Sequence, residues 1–299
     1  MSKLFPQTFR TFDIPTSGTT IHGVTGGAGP PLLLLHGYPQ THALWHKVAA
    51  RLADRFTIVA ADLRGYGDSG KPATTPDHAP YSKRAMAQDM AEVMTALGHH
   101  RFFVCGHDRG GRVAHRLALD HAQRVARIAV LDIAPTREMY RGTTDAFARA
   151  YAHWFYLIEP APFPERMIGT GASAEEYWRK KCGSGSASMS PFAPEALAEY
   201  LRCFRDPATV HATCEDYRAA ASIDNRHDDE DGEKKVAAPL LALWGRNGVI
   251  ERCFDCLDLW RERASDVRGE ALPGGHYLAE ELPDLVAEKL ADFMLAARP

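Results

Sequence analysis

The chain has 299 residues, 45% of them hydrophobic, and a formal charge of −3, so it can bury one large core or a core carrying an insertion. That balance offers no electrostatic pull toward nucleic acid or an anionic membrane, and no apolar run is long enough to span a bilayer. The opening stretch Met1–Pro6 has no apolar leader, so a cytoplasmic protein with neither nucleic-acid nor membrane partners is expected.

In chain order, Thr8–Asp13 and Thr19–Thr25 read as strands around a Thr16-Ser17-Gly18 turn, an antiparallel edge to the strands after them. The apolar run Pro31–His36 suits a buried central strand, and helix-like Ala43–Ala53 leads to a further strand at Phe56–Asp62. Gly65, Gly67 and Gly70 break the chain into a loop, and Tyr81–Leu97 has helical periodicity before a strand at Arg101–Cys105. A helix-like segment, Arg112–Leu119, is followed by a core strand, Val125–Asp132. Alternating strands and helices predict an α/β class with a mostly parallel sheet and helices on both faces.

The alternation stops between about Arg137 and Arg226, where Phe147–Leu157, Glu175–Lys181, Pro194–Phe204 and Pro207–Ala219 read as helices. The acidic run Asp228-Asp229-Glu230-Asp231, with Lys234-Lys235 after it, reads as a solvated return loop. The α/β pattern resumes at Pro239–Gly245 and closes with a helix over Leu282–Leu295. The expected organisation is a core in two parts, 1–136 and 228–299, interrupted by a helical cap, 137–227. The cysteines, at 105, 182, 203, 214, 253 and 256, complete no zinc set. Cys253 and Cys256 have redox spacing but fall in what resembles a surface helix, so free thiols are expected.

Gly106-His107-Asp108-Arg109-Gly110-Gly111 is the most informative stretch. A strand precedes it and a helix follows, with small residues two before and two after Asp108: the context of a nucleophile elbow that usually carries serine. A carboxylate there attacks carbon and forms an ester that water can cleave, which points to a halide or an epoxide oxygen as leaving group.

Such an ester needs a base. His276, in the Leu272–Tyr277 turn before the last helix, can be brought over the carboxyl end of the sheet. The loop after the Leu240 strand, Trp244–Ile250, contains no carboxylate to orient it, whereas Val125–Asp132 ends on an acid at the sheet edge; the expected set is Asp108, Asp132 and His276. The backbone amides of Tyr38, in His36-Gly37-Tyr38-Pro39, and of Arg109 are the candidate oxyanion donors. Arg109 and Arg112 could grip one substrate carboxylate through planar, charge-assisted bonds. His153, Trp154 and Tyr217, in the cap, could each donate to a departing halide, although aromatic residues equally fill cap cores.

With these residues in view, nearly the whole chain resembles the fluoroacetate dehalogenases, capped members of the α/β-hydrolase superfamily; the segment Val130–Thr136 carries the likeness as strongly as the elbow. The resemblance implies an α/β-hydrolase fold and a nucleophile at Asp108. It implies an acid at Asp132, a water-activating histidine at His276, a carboxylate clamp of Arg109 and Arg112, and a halide site of His153, Trp154 and Tyr217. Fluoroacetate would yield glycolate and fluoride, with chloroacetate a second substrate and no metal or organic cofactor, and the assembly would be a homodimer. An epoxide hydrolase, with cap tyrosines among Tyr151, Tyr156 and Tyr217 protonating the epoxide oxygen, uses the same ester chemistry. A non-catalytic ligand-binding hydrolase fold is the reading of a different class.

Overall fold

A computed structural model of the chain describes residues 4–185 and 188–297; Met1, Ser2 and Lys3 of the opening stretch, 186–187 and the last two residues lie outside it. Its frame is an eight-stranded sheet in the order β1-β2-β4-β3-β5-β6-β7-β8. The strands are β1 Arg10–Pro15, β2 Thr20–Gly27, β3 Pro31–Leu35, β4 Thr57–Ala61, β5 Phe102–His107, β6 Val125–Leu131, β7 Leu240–Gly245 and β8 Val267–Leu272. β2 runs antiparallel to both β1 and β4, and β3 to β8 pair in parallel.

The apolar run of β3 accounts for its central place. Leu33 and Leu35 enter the core on one face of the sheet, Leu32 and Leu34 the core on the other, so a strand buried on both sides needs no polar alternation. Each such leucine contributes roughly 1.5–3 kcal/mol of burial. The first face packs helices Lys83–Ala96 and Arg109–Asp120 and continues into the cap through Trp154, Trp178, Tyr200 and Tyr217. The second packs helices His46–Leu52 and Pro283–Leu295.

Between β6 and β7 the described elements are helical and form a cap-like insertion: Thr136–Arg141, Asp145–Ala150, His153–Tyr156, Phe163–Ile168, Ala172–Gly185, Pro194–Phe204, Pro207–Ala219 and Asn225–Asp231. The helix expected over 147–157 is broken at Tyr151, whose backbone leaves helical geometry (φ −113°, ψ 40°) before His153. The acidic run is not a solvated loop. It ends a long helix that continues from Pro207–Ala219 through a π-helical turn, Ala220–Asp224, into Asn225–Asp231. Asp228 and Asp231, three residues apart on one helix face, both take Arg116 of the elbow helix, at 2.6 and 2.5 Å. Asp229 takes Arg137 at 2.9 Å and Arg141 at 2.7 Å. Arg116 of the elbow helix and Arg137 and Arg141 of the first insertion helix turn a self-repelling run into a tie among three helices.

Cys253 and Cys256 also differ from expectation. They fall at the end of helix Val249–Cys253 and the start of helix Cys256–Arg263, and Cys256 is buried with its thiol toward the Ile133 carbonyl. The six cysteines are unpaired. No helix among the described residues is long and apolar enough to cross a membrane.

Candidate active site

Asp108 follows β5 directly and begins the helix Arg109–Asp120, with φ 45° and ψ −113°. Few non-glycine residues adopt such a backbone, and the strain, on the order of 1–3 kcal/mol, is held by the packing around it. The close fit is visible at Gly110, where a Cβ would stand 2.4 Å from the Leu35 and His36 carbonyl oxygens. The same holds at Gly37, where a Cβ would stand 2.5 Å from the Asp108 Cβ. With Gly37 bare, the Tyr38 backbone N–H reaches Asp108 Oδ1 at 3.0 Å.

Asp132, one residue beyond β6, also has positive φ, 51°. This turns its carboxylate toward the next strand end. Oδ2 lies 2.5 Å from His276 Nδ1, and Oδ1 accepts from the Gly245 N–H at 2.8 Å. The loop that lacked a carboxylate thus supplies a backbone donor to one. With Nδ1 engaged, His276 has Nε2 for a substrate proton. Asp108, Asp132 and His276 are 4%, 0% and 6% exposed, so the three polar groups meet away from bulk water. Burial alone would push the Asp108 carboxyl up, but His276 and then Arg112 lead the charges that outweigh it and hold it below the usual carboxylate range. It is therefore an anion at neutral pH.

Two supports of His276 escaped the sequence reading. His107 donates from Nε2 to the His276 carbonyl at 2.8 Å, and burial, then His276, push its imidazole down to about 3, so it serves as a neutral donor. Glu281 accepts the Gly275 N–H at 2.6 Å and the Tyr277 N–H at 2.9 Å, clasping the turn from both sides. Neither residue type signals such a role by itself.

The cap brings His153, Trp154 and Tyr217 together above the elbow. Tyr217 lies edge-on to His153 with centroids 5.7 Å apart and to Trp154 at 6.5 Å. The guanidinium of Arg109 stands 4.3 Å over the Tyr217 ring, and that of Arg112 stands 4.7 Å over the Trp154 ring. Both arginines are already partly engaged. Arg109 gives Nε and Nη2 to Asp216 (2.9 and 2.6 Å), and Arg112 gives Nη1 to Thr136 (2.8 Å) and the Ala134 carbonyl (3.2 Å). Asp216 is a further residue the sequence reading missed; standing beside Tyr217 in a predicted helix, it had no distinguishing signal.

Among the described residues, the buried donors with no protein partner include Arg109 Nη1, Arg112 Nε, Trp154 Nε1 and Tyr217 Oη, with Tyr140 Oη beside Trp154 as well. A buried donor left unsatisfied is costly, so several in one cluster of touching side chains suit a polar ligand. Burial, followed by Lys181, holds His153 well below the ordinary histidine value. Burial, followed by Asp108, holds the Tyr217 phenol well above its own. Both remain neutral hydrogen-bond donors at neutral pH. Two guanidinium groups and three neutral donors can together hold a small anion over the Asp108 carboxylate.

Away from this cluster, His22, His42 and Asp62 bring three potential metal-ligating atoms within 4.8 Å of one another. Asp62 Oδ1 there accepts both the His42 backbone N–H at 2.7 Å and Nδ1 at 2.9 Å, bonds that anchor the turn after β3.

A strained carboxylate between a parallel strand and a helix, served by an acid and a histidine from later strand ends, is the working edge of an α/β hydrolase. The chain belongs to the α/β-hydrolase fold family, which it matches over residues 30–280. It is 45% identical to the fluoroacetate dehalogenase of Burkholderia sp, over 95% of this chain and 93% of that protein. It is 33% identical to the soluble epoxide hydrolase of Corynebacterium sp. strain C12, over 94% and 96% of the two chains. A solved structure from Nostoc sp PCC 7120 superimposes with a TM-score of 0.94 at 55% identity, covering 97% of this chain and 99% of that one.

Proposed function

We propose that this hydrolase cleaves the carbon–halogen bond of haloacetates, taking fluoroacetate and water to glycolate and fluoride, with chloroacetate as a second substrate and no cofactor. The observation that carries the reading is the partnerless buried donors on Arg109, Arg112, Trp154 and Tyr217, two cationic and two neutral. A haloacetate offers a carboxylate to the first pair and a halogen to the second. The likeness to a fluoroacetate dehalogenase supports the same assignment.

In this mechanism Arg109 Nη1 and Arg112 Nε hold the substrate carboxylate, offsetting its repulsion by the Asp108 anion. An Asp108 oxygen attacks the α carbon in line, and the carbon–fluorine bond breaks with its electron pair leaving on fluoride. His153, Trp154 Nε1 and Tyr217 Oη donate to that ion as charge develops. His276, aligned by Asp132, then takes a proton from water, and the oxygen of that water adds to the Asp108 carboxyl carbon. The backbone N–H groups of Tyr38 and Arg109 receive the oxyanion. Collapse releases glycolate, which takes the proton from His276, and the remaining acid proton of Asp108 goes to solvent. The cap is taken as 137–227, between core parts 1–136 and 228–299, and the family resemblance supports a homodimer.

The test is halide and glycolate release from fluoroacetate and chloroacetate, assayed side by side. A folded protein that releases halide from neither acid yet opens a neutral epoxide would sink the assignment. The epoxide reading draws on the 33% likeness to a soluble epoxide hydrolase and on the Tyr151 hydroxyl, 3.5 Å from His276 Nδ1. Two buried guanidinium groups weigh against it, because a neutral epoxide gives them no anion.

A further inference from the structure

The Asp216 carboxylate is saturated with donors. Oδ1 accepts from Arg109 Nη2 at 2.6 Å and from Lys83 Nζ; Oδ2 accepts from Arg109 Nε at 2.9 Å and from the Tyr66 hydroxyl at 2.6 Å. The Asp216 carbonyl takes Arg109 Nη2 as well, at 2.8 Å. All four side chains are buried. Arg109 is thus gripped along one edge of its plane and keeps a single nitrogen, Nη1, for anything else. A lone buried Arg–Asp pair would be close to neutral and a poor lure for an anion. Lys83, at the first turn of helix Lys83–Ala96, restores the balance. It contacts Asp216 directly; the Asp224 carboxylate, on the π-helical turn, has Oδ2 farther away at 3.5 Å from Nζ and accepts the Lys83 backbone N–H through Oδ1 at 2.8 Å.

We infer that Asp216, with its charge offset by Lys83, is a positioning residue that orients Arg109 and keeps its positive charge available to the substrate carboxylate. This rests on the haloacid reading of the same site. The clamp is then a split one, with a single free nitrogen from each arginine, and its selectivity for a monoanion is set by a lysine that never touches the substrate. The same contacts fasten cap to core, since Asp216 lies in the insertion and Lys83, Tyr66 and Arg109 outside it.

Binding of acetate and of its neutral isostere acetamide, by calorimetry on the full chain, reads the charge directly. The wild-type protein should prefer acetate. K83M, one positive charge poorer, should lower that preference about tenfold or more, as expected for a charge removed nearby in a partly desolvated site. The double variant K83M/D216N, returned to the wild-type charge and still holding Arg109 through the amide oxygen and the backbone carbonyl at 216, should recover most of it. A merely structural role for Lys83 would weaken acetate and acetamide in parallel and leave the double variant no better. Either that pattern, a K83M protein that keeps the preference, or a wild-type protein without one overturns the inference. Fluoride release by the wild-type protein separates the two claims. Release with an unaltered K83M preference removes the inference alone; a charge-dependent preference without release removes the haloacid chemistry alone.

Discussion

The two halves of the site are held in different ways. Asp108, Asp132 and His276 sit within one or a few residues of strand ends, oriented by backbone: two of them have positive φ, and backbone N–H groups of Tyr38 and Gly245 fix their carboxylates. The other half, Arg109, Arg112, His153, Trp154 and Tyr217, rests on side chains stacked on side chains, with Asp216 and Lys83 behind them. Backbone placement tolerates little variation because the fold itself sets it. Side-chain placement can be retuned by a single neighbour. The chemistry is therefore expected to reside in the first half and the choice of substrate in the second.

The largest effect should come from D108N, which removes the nucleophile. Halide release should fall by a factor on the order of 10⁴, and intact-protein mass after incubation with fluoroacetate should stay unchanged. H276N should leave the first step running and block the second, cutting turnover by about 10²–10⁴. Its mass should rise by one carboxymethyl group on Asp108, and an unmodified Asp108 despite substrate consumption would count against the ester. A single turnover of the unaltered protein in ¹⁸O-water should accordingly place the label on Asp108 rather than on glycolate.

The second half should respond more mildly and more selectively. R112M is expected to lower kcat/KM for haloacetates by roughly 10²-fold, chiefly through KM, because it deletes a charge-assisted contact in a buried site. W154F removes one neutral donor and should cost about tenfold in kcat with fluoroacetate and less with chloroacetate; equal losses on both would show that the indole only packs. Should R112M prove as damaging to kcat as D108N, the division between the halves fails.

The smallest effect concerns stability against pH. Burial pushes His107 and His115 down to about 3 in the folded protein, whereas an unfolded histidine titrates near 6.5. Below that pH the unfolded chain binds protons that the fold refuses, so stability should decline from about pH 6.5 downward, on the order of 1–2 kcal/mol per group by pH 5. Asp62, Asp108 and Asp216 are held low despite burial, by His42, His276 and Arg109 respectively as the leading partners. Their contribution is complete above the unfolded carboxyl value and is lost as pH falls through the folded one. Denaturant midpoints at pH 7, 5 and 4 should fall in that order, and H115Q should flatten the step between 7 and 5.

Much of the core was legible because its signals are local. A leucine run buried on both faces, a Gly-x-Asp-x-Gly turn between strand and helix, and an acid ending a strand each carry their geometry within a few residues. The cap was legible only as helices. Nothing near Tyr151 announces the break between Ala150 and His153. The acidic run was misread because the cations that make it helical, Arg116, Arg137 and Arg141, are 88 to 115 residues away in the chain.

By itself, then, the sequence determined the hydrolase frame and the carboxylate at the elbow and proposed the acid, the histidine and the paired arginines, since periodicity and turn chemistry are short-range. Only the tertiary structure decided which nitrogens of those arginines remain free, through Asp216 and Lys83 from distant helices, and how His107 and Glu281 hold the histidine turn. Hydrogen bonds between elements depend on a few tenths of an ångström of packing, which no local pattern encodes.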